Sequence, residues 1–360
     1  MSSARPIFVV GCPRSGTTML QLMLHAHPRI ALPPENRFLL PAYERRHEYG
    51  DLSLPEQRRA LAEWIVASPH FGDLGLETEA VIEAVVAAPA TLGSAFGTIF
   101  QMYAQRFGKP RWGDKRPSYL RNLPIILRLF PDAQIINILR DGRDCVASLK
   151  ETPWGPDDFG KLVETWARSA DASMRAARDY PADVYHQVRY EDLVSDPEPH
   201  LRAVCAFLEE EYDPAMARPS EVAPVAVPEY KTWHSLTHSE VTTARVSSWQ
   251  RRLTAEEIER CENVFGDRLT RLGYQLSENG RRVTRFRAER TWLAVRDRLG
   301  PARLRADDVR GRLRSRRRGP ALAARLTAPE QPAAALPATS RPATGQSTSA
   351  LVSATDQPPV

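Results

Sequence analysis

The chain has 360 residues with 42% apolar side chains, enough to bury a large core, and its formal net charge is +5. The charge is spread unevenly, since residues 281–325 carry a net of +12, with 16 arginines, and residues 326–360 a net of −1. Residues 1–280 are therefore mildly acidic, at −6, while four separated cysteines argue against a disulfide framework and a structural zinc site.

Apolar runs are short throughout the chain. None approaches the roughly 20 residues that a membrane span needs, and the first, residues 7–10, is too short for the core of a signal peptide. Together with the unpaired cysteines, this pattern predicts a soluble protein in a reducing compartment. We expect a bacterial cytoplasmic location, which the Ala-, Arg- and Pro-rich composition also favours.

The first predicted elements are a strand, a loop and a helix. Residues 7–10 form an apolar strand, Gly11 and Gly16 frame a loop with the spacing G-x-x-x-x-G, and residues 19–26 form a helix. Glycine permits the tight turn, and the first N–H groups of the helix lack partners within it. This arrangement predicts an anion site at the N-terminus of the helix.

The side chains of this loop refine that prediction. Thr17 and Thr18 stand where a Walker motif has Lys-Ser/Thr, and the cation lies within the loop as Arg14. The hydroxyls of Ser15 and the two threonines, with Arg14, are suited to hold a tetrahedral anion. A simple glycine turn without a ligand is the alternative.

A short extended segment, a charged turn and a helical region follow. Residues 30–32 are extended, and the turn 35–37 comes after two prolines. Residues 53–108 are predicted to be helical. Ser53 and Glu56 have the spacing of a capping box, and a second helix is expected over 92–107.

A second candidate anion site follows the next apolar strand. Helix 118–130 precedes strand 133–139, and Arg140 ends that strand. Ser148 lies two turns into the next helix, so both side chains could meet a second phosphate at the carboxyl edge of the sheet. The alternative is that Arg140 pairs with Asp141 or Asp144.

The remaining elements complete an alternation of helices and strands. A helix over 159–180, strand 184–188, a loop at 189–192 and a helix from Asp196 to Leu208 are expected, and Thr254 and Glu257 form a capping box for helix 254–272. We therefore predict an α/β, P-loop-like three-layer fold with a mostly parallel sheet flanked by helices.

The C-terminal part differs in composition. We predict a domain over 1–280, an Arg-rich and partly helical extension over 281–325, and a disordered tail over 326–360, which is rich in Ala, Pro, Ser and Thr. The extension matches no module that reads bases, so no specific nucleic acid is expected. A solubilising role, or contact with a membrane surface or a protein, remains open, as does a homodimer.

The two anion motifs together resemble those of the sulfotransferase superfamily that uses 3′-phosphoadenosine 5′-phosphosulfate (PAPS). The resemblance covers about residues 5–276 in the same order and is closest to the tyrosylprotein sulfotransferase branch. The motifs that carry it are G-C-P-R-S-G-T-T at 11–18, A-H-P at 26–28, E-N-R at 35–37, K-R-P at 115–117, R-D-G-R-D-C-V-A-S at 140–148, Y-E-D-L at 190–193 and S-S-W at 247–249.

The resemblance implies a role for each matched residue. It makes Glu35 the catalytic base and places Arg14, Lys115 and Ser247 at the phosphosulfate bridge or the transferring sulfuryl group. The residues that it implies for donor binding are Arg14, Ser15, Gly16, Thr17, Thr18, Arg140, Ser148 and Tyr190. Pro34 departs from the branch, which has an acidic residue there. The resemblance places residues 53–108 on the acceptor side, but they show no clear match, so the acceptor does not carry over. It could be a glycan, a glycolipid, a small metabolite or a peptide tyrosine.

Physical chemistry supports the same assignment of the base. Sulfuryl transfer resembles phosphoryl transfer in having a loose transition state, so the protein mainly positions groups and stabilises charge. An acceptor hydroxyl must lose its proton, and Glu35 lies near the loop in sequence. A surface glutamate paired with Arg37 is the alternative, as is a nearby histidine base (His25, His27 or His47). We expect no metal, because Arg and Lys side chains can neutralise the leaving group.

Two other classes of function stay open from the sequence. A P-loop NTPase or small-molecule kinase would turn over ATP with Mg²⁺, although the Walker lysine is missing. A binding protein without catalytic activity would use the fold as a scaffold and the basic extension as its contact surface.

Overall fold

The structure is a computed structural model, and it describes residues 5–223 and 241–277 together with positions 288, 291, 292 and 295. The chain divides into one unit of Met1–Thr327 and a second of Ala328–Val360. Apart from those four positions, the predicted Arg-rich extension and the predicted disordered tail lie outside the described residues. The domain boundaries therefore stay predictions.

A parallel sheet forms the centre of the described part of the chain. Its strands are β1 (Ile7–Gly11), β2 (Ile30–Ala31), β3 (Arg111–Lys115), β4 (Gln134–Leu139) and β5 (Tyr185–Arg189). Their order is β2-β3-β1-β4-β5, and every pair of neighbours is parallel. Parallel strands need connections that cover the faces of the sheet, which explains why β1 is buried along its whole length.

Helices connect the strands. The helices within the described ranges are α1 (Thr17–Ala26), α2 (Leu39–Glu44), α3 (Pro55–Val66), α4 (Thr78–Ala87), α5 (Leu92–Gln105), α6 (Leu123–Leu129), α7 (Gly142–Lys150), α8 (Phe159–Asp179), α9 (Tyr190–Ser195), α10 (Pro197–Leu208), α11 (Trp249–Arg252), α12 (Ala255–Phe265) and α13 (Asp267–Arg271). Short 3₁₀ helices occupy Phe71–Leu74, Pro117–Asn122, Pro214–Ala217 and Pro219–Glu221.

The side chains of β1 divide between two hydrophobic clusters. Phe8 and Val10 belong to the cluster formed with α2 to α6, while Ile7 and Val9 belong to the cluster formed with α1, α9 and α10. Alternate residues of a strand point to opposite faces, so the helices cover both faces of the sheet. The predicted α/β three-layer fold with a mostly parallel sheet is confirmed.

Several local predictions need correction. The predicted capping box at Ser53 is wrong, because α3 begins at Pro55 after Leu54, and the Ser53 backbone N–H donates to Asp51 Oδ1 instead. The predicted loop at 189–192 is wrong, since Arg189 ends β5 and α9 begins at Tyr190. Strand β3 and helix α4 had not been predicted as separate elements.

The helix predicted over 254–272 is interrupted. Its capping box is confirmed, since the Glu257 N–H donates to Thr254 Oγ1 at 3.2 Å and the Thr254 N–H to Glu257 Oε2 at 2.9 Å. Gly266 has a φ of 57°, which breaks the helix into α12 and α13. Helix 118–130 is likewise divided, into a 3₁₀ turn and α6.

The carboxyl ends of the strands gather the predicted site residues. The anion loop follows β1, Glu35 follows β2, Lys115 ends β3, Arg140 follows β4 and Tyr190 follows β5. Parallel strands end at the same edge of a sheet, and ligands of open α/β sheets bind there. The fold thereby brings residues from distant parts of the chain to one edge.

Candidate active site

The loop after β1 is held in an unusual backbone conformation. Arg14 has a φ of 70° and Gly16 a φ of 100°, and the Ser15 N–H donates to the Cys12 carbonyl at 3.1 Å. A Cβ on Gly16 would lie 2.7 Å from Cδ2 of Tyr190, so the loop packs directly against that ring. Glycine at 16 is therefore required both by the conformation and by the close approach.

Polar groups at the start of α1 fit an anion. Thr17 and Thr18 are buried at the start of α1, and no side chain caps that helix. Among the described residues, the buried Ser15 Oγ has no hydrogen-bond partner. Uncapped N–H groups and a buried hydroxyl without a partner are the features that a phosphate or sulfate group satisfies.

Arg14 connects the loop to the second predicted anion motif. Its Nε donates to Ser148 Oγ at 3.0 Å, across 134 positions of sequence. Burial lowers the pKa of Arg14, and the neighbouring charge of Arg140 lowers it further. Two guanidinium groups are therefore held close together, an arrangement that an anion between them would stabilise.

Arg140 lies at the centre of the second motif and is 5% exposed. It donates to the carbonyls of Arg14 at 2.9 Å and Arg245 at 2.6 Å, and its Cζ lies 4.3 Å from the centre of the Tyr190 ring. The alternative pairing is realised only in part, because Asp144 Oδ2 is 4.0 Å away and Asp141 pairs with Arg143. Arg140 Nε has no hydrogen-bond partner among the described residues.

Glu35 and Lys115 form an ion pair beside the anion loop. Lys115 Nζ lies 2.8 Å from Glu35 Oε2 and 3.4 Å from Thr18 Oγ1, and the Lys115 side chain is 2% exposed. The alternative in which Glu35 pairs at the surface with Arg37 is therefore not what the structure contains. Burial would raise the pKa of Glu35, but the charge and hydrogen bond of Lys115 outweigh it and lower the pKa, with Arg116 and Arg37 adding to the effect.

Ser247 lies beside the second motif. Its φ is 52°, and the next two residues both donate to Asp144 Oδ1 at 2.8 Å, Ser248 through its hydroxyl and Trp249 through its backbone N–H. Ser247 also lines a cavity of about 620 Å³, together with Asp141 and Arg143 at the start of α7 and with residues 273–277. The role at the sulfuryl group that the resemblance implies for Ser247 stays a prediction.

Two of the alternative histidine bases are engaged with the backbone. His25 is buried, and its Nδ1 accepts a hydrogen bond from the Leu32 backbone N–H at 3.2 Å. Burial lowers the pKa of His25 to about 4. His27 Nε2 donates to the Glu211 carbonyl at 2.8 Å, and its Nδ1 accepts from the Arg29 N–H. Both contacts suit a packing role.

Sequence reasoning missed the buried carboxylate of Asp114, which precedes Lys115 in β3. It accepts hydrogen bonds from Asn36, the Lys115 backbone and Tyr119. The only sequence signal for Asp114 is that it directly precedes the lysine of the K-R-P motif. Its side-chain partners Asn36 and Tyr119 lie 78 and five positions away. Within the described ranges, no group of three or more His, Cys, Asp or Glu side chains could hold a metal ion.

Comparison with known proteins identifies the family. The model of the Sulfotransferase family matches residues 6–214, more than half of the chain. The chain belongs to this sulfotransferase family. Membership supports sulfuryl transfer as the class of reaction, and PAPS dependence is the norm in the family.

Curated relatives include several protein-tyrosine sulfotransferases, in agreement with the predicted resemblance to that branch. Nodulation protein NoeE of Sinorhizobium fredii is 29% identical over 75% of this chain and 66% of its own length. The protein-tyrosine sulfotransferase of Drosophila melanogaster is 27% identical over 60% of this chain and 40% of its own length. Protein-tyrosine sulfotransferase 1 of Danio rerio is 26% identical over 76% of this chain and 73% of its own length. The matched region thus spans less than two thirds of the first two relatives.

Solved structures agree on the fold. The sulfotransferase domain from the curacin biosynthetic pathway has a TM-score of 0.55 at 20% identity, covering 77% of this chain and 100% of that domain. The sulfotransferase domain of the Synechococcus PCC 7002 olefin synthase has a TM-score of 0.53 at 25% identity, covering 77% and 97%. Both share the α/β fold described above.

The predicted cytoplasmic location is wrong. The protein-tyrosine sulfotransferases that this chain resembles are Golgi membrane enzymes. Short apolar runs and unpaired cysteines were not enough to decide the location. In the part of the chain that the structure describes, no helix combines the length and apolarity needed to cross a membrane.

Replacing Gly16 by alanine tests the loop. We expect Gly16→Ala to lose at least about 1 kcal/mol of stability, which is a fall in Tm of a few degrees, because the backbone at this position is left-handed. We also expect the variant to bind adenosine 3′,5′-bisphosphate at least tenfold more weakly, because the new Cβ overlaps with Tyr190. Calorimetry measures both. Gly72→Ala is the control, since its Cβ would have no neighbour within 4 Å. Equal behaviour of the two variants would contradict the prediction.

Proposed function

We propose that this chain transfers the sulfuryl group of PAPS to the hydroxyl of an acceptor, with Glu35 as the base. The observation that supports this most directly is that the loop after β1 contacts both the second anion motif and, through Lys115, the proposed base. Arg14 links the loop to Ser148 at 3.0 Å, and Lys115 links Glu35 to Thr18 through contacts of 2.8 and 3.4 Å.

The donor would lie across the carboxyl edge of the sheet. The start of α1, with Ser15, Thr17 and Thr18, suits the 5′-phosphosulfate, and Arg140 with Ser148 suits the 3′-phosphate. Tyr190 packs on the loop at Gly16 and under Arg140, so it would support both ends of the donor site.

The transfer step needs a base and positive charge. The acceptor oxygen forms a bond to sulfur while the bond from sulfur to the bridging oxygen of the donor breaks, and the acceptor proton passes to the carboxylate of Glu35. Negative charge grows on the bridging oxygen, where Arg14, Lys115 and Ser247 would stabilise it. The products are the sulfated acceptor and adenosine 3′,5′-bisphosphate.

A binding and turnover experiment tests the proposal. We expect purified protein to bind adenosine 3′,5′-bisphosphate and to transfer label from ³⁵S-PAPS to at least one hydroxyl acceptor. The acceptors to compare are a tyrosine peptide, a simple phenol, an oligosaccharide and a glycolipid. The tyrosine peptide comes first, because protein-tyrosine sulfotransferases are among the relatives.

Controls separate the competing functions. Adenosine 5′-phosphosulfate, which lacks the 3′-phosphate, should bind more weakly than PAPS. Turnover of ATP that depends on Mg²⁺, without binding of adenosine 3′,5′-bisphosphate, would instead support a kinase or NTPase. A protein that binds neither adenosine 3′,5′-bisphosphate nor ATP would contradict both the sulfotransferase and the kinase or NTPase function.

A further inference from the structure

The buried carboxylate of Asp114 contacts both segments that carry the proposed catalytic pair. Its Oδ1 accepts from Asn36 Nδ2 at 2.8 Å and from the Lys115 backbone N–H at 2.8 Å, and its Oδ2 accepts from the Tyr119 hydroxyl at 2.7 Å. Asp114, Asn36 and Tyr119 are all fully buried. One side chain therefore joins the turn after β2, the end of β3 and the following 3₁₀ helix.

Backbone pairing between the two segments ends before this point. β2 has only two residues, and its recorded pairing with β3 ends at Ala31 and Trp112, before Glu35 is reached. Asn36 directly follows Glu35, and Asp114 directly precedes Lys115, so the hydrogen bond between 36 and 114 spans the gap next to the ion pair. Buried hydrogen bonds to a carboxylate are strong and directional.

We propose that Asp114 and Asn36 are positioning residues, which hold Glu35 against Lys115 in the geometry that proton transfer requires. The inference rests on the proposed function, since it gives Glu35 the role of base. Neither residue touches the donor or the acceptor in this scheme. A catalytic group that is misplaced by about 1 Å can lose on the order of a hundredfold in rate.

Tyr119 provides a matched control within the same network. It is as buried as Asn36 and donates to the same carboxylate, but through Oδ2 and from the 3₁₀ helix rather than from the turn of Glu35. Loss of either hydrogen bond removes one donor from Asp114. Of these two hydrogen bonds, only the one from Asn36 joins Asp114 to the segment that carries the base.

The test compares Asn36→Ala with Tyr119→Phe in the full chain. We expect Asn36→Ala to lower kcat at least tenfold with an active hydroxyl acceptor, while the KM for PAPS and the affinity for adenosine 3′,5′-bisphosphate stay within about threefold. Tyr119→Phe should lower Tm by a similar amount but kcat by less than threefold. Equal losses of kcat in both variants, or an unchanged kcat in a folded Asn36→Ala, would overturn the proposal.

A second pair of variants covers the case in which Asn36→Ala does not fold. Asp114→Leu keeps the branching of the side chain but accepts no hydrogen bonds, whereas Asp114→Asn keeps one oxygen that can accept from Asn36 and Lys115. We expect kcat of Asp114→Asn to exceed that of Asp114→Leu at least tenfold, with equal nucleotide affinity. Similar kcat values would overturn the proposal. A wild-type protein that lacks both nucleotide binding and turnover would instead refute the proposed function.

Discussion

Glu35→Gln is expected to lower kcat by about 10²- to 10⁴-fold while leaving the affinity for adenosine 3′,5′-bisphosphate within about threefold. Glutamine has nearly the same shape and can still accept a hydrogen bond from Lys115, but it cannot take the acceptor proton. Glu35→Ala should abolish turnover as well. Rapid-quench assays with ³⁵S-PAPS and calorimetry measure the two quantities.

Glu48 provides a control for Glu35. It also forms an ion pair with a basic residue, Arg45, at 3.0 Å, but that partner lies three positions away in the same segment rather than at the end of β3. Glu48→Gln should keep the wild-type kcat. A Glu35→Gln variant that retains more than a tenth of wild-type kcat would refute the role of base.

The pH dependence of kcat distinguishes a glutamate base from a histidine base. Lys115 outweighs burial and lowers the pKa of Glu35 in the folded protein, so the carboxylate stays charged to a pH below the usual glutamate range. Protonation of Glu35 should therefore lower the rate only below about pH 5. The contribution of this ion pair to stability has the same sign, because it is present above the unfolded pKa and is lost as the pH falls. An acid limb near pH 6 would point away from Glu35, either to Asp114, whose pKa burial raises to about 6, or to a histidine other than His25, whose pKa burial lowers to about 4.

Arg140→Ala is expected to weaken binding of adenosine 3′,5′-bisphosphate by about tenfold to a hundredfold. Hydrogen bonds to a charged group contribute about 1.5–3 kcal/mol, and 1.4 kcal/mol corresponds to a factor of ten. The loss should be much smaller with AMP, which lacks the 3′-phosphate. Titration of both nucleotides against both proteins measures the difference.

The two ligands separate two roles of Arg140. This side chain also donates to the backbone of Arg14 and Arg245, so its removal could disturb the loop itself. If the loop is the cause, AMP and adenosine 3′,5′-bisphosphate will lose affinity equally, and the assignment to the 3′-phosphate will be wrong. A selective loss for the bisphosphate supports that assignment.

The sequence predicted most of the fold because its signals are local. The strand and loop at 7–18 and strand 133–139 have compact apolar patterns, and the capping box at Thr254 is a pair of residues three positions apart. Strand β3 was missed because Arg-Trp-Gly-Asp-Lys carries three charges in five residues. In the folded protein, β3 is stabilised by parallel pairing with its neighbours β1 and β2, and local propensity does not reveal this pairing.

The candidate site divides in the same way. By itself, the sequence determined which chemical groups follow the strands that it predicted: hydroxyls and Arg14 after β1, a carboxylate after β2 and Arg140 after β4. Lys115 was found through its motif and not through its strand. Only the tertiary structure decided which of them meet. Strand order β2-β3-β1-β4-β5 sets Lys115 against Glu35 across 80 positions and Arg14 against Ser148 across 134. The physical reason is that a residue pattern encodes the hydrophobic period and the burial of its own segment. Which strand ends become neighbours depends on the packing of the whole sheet.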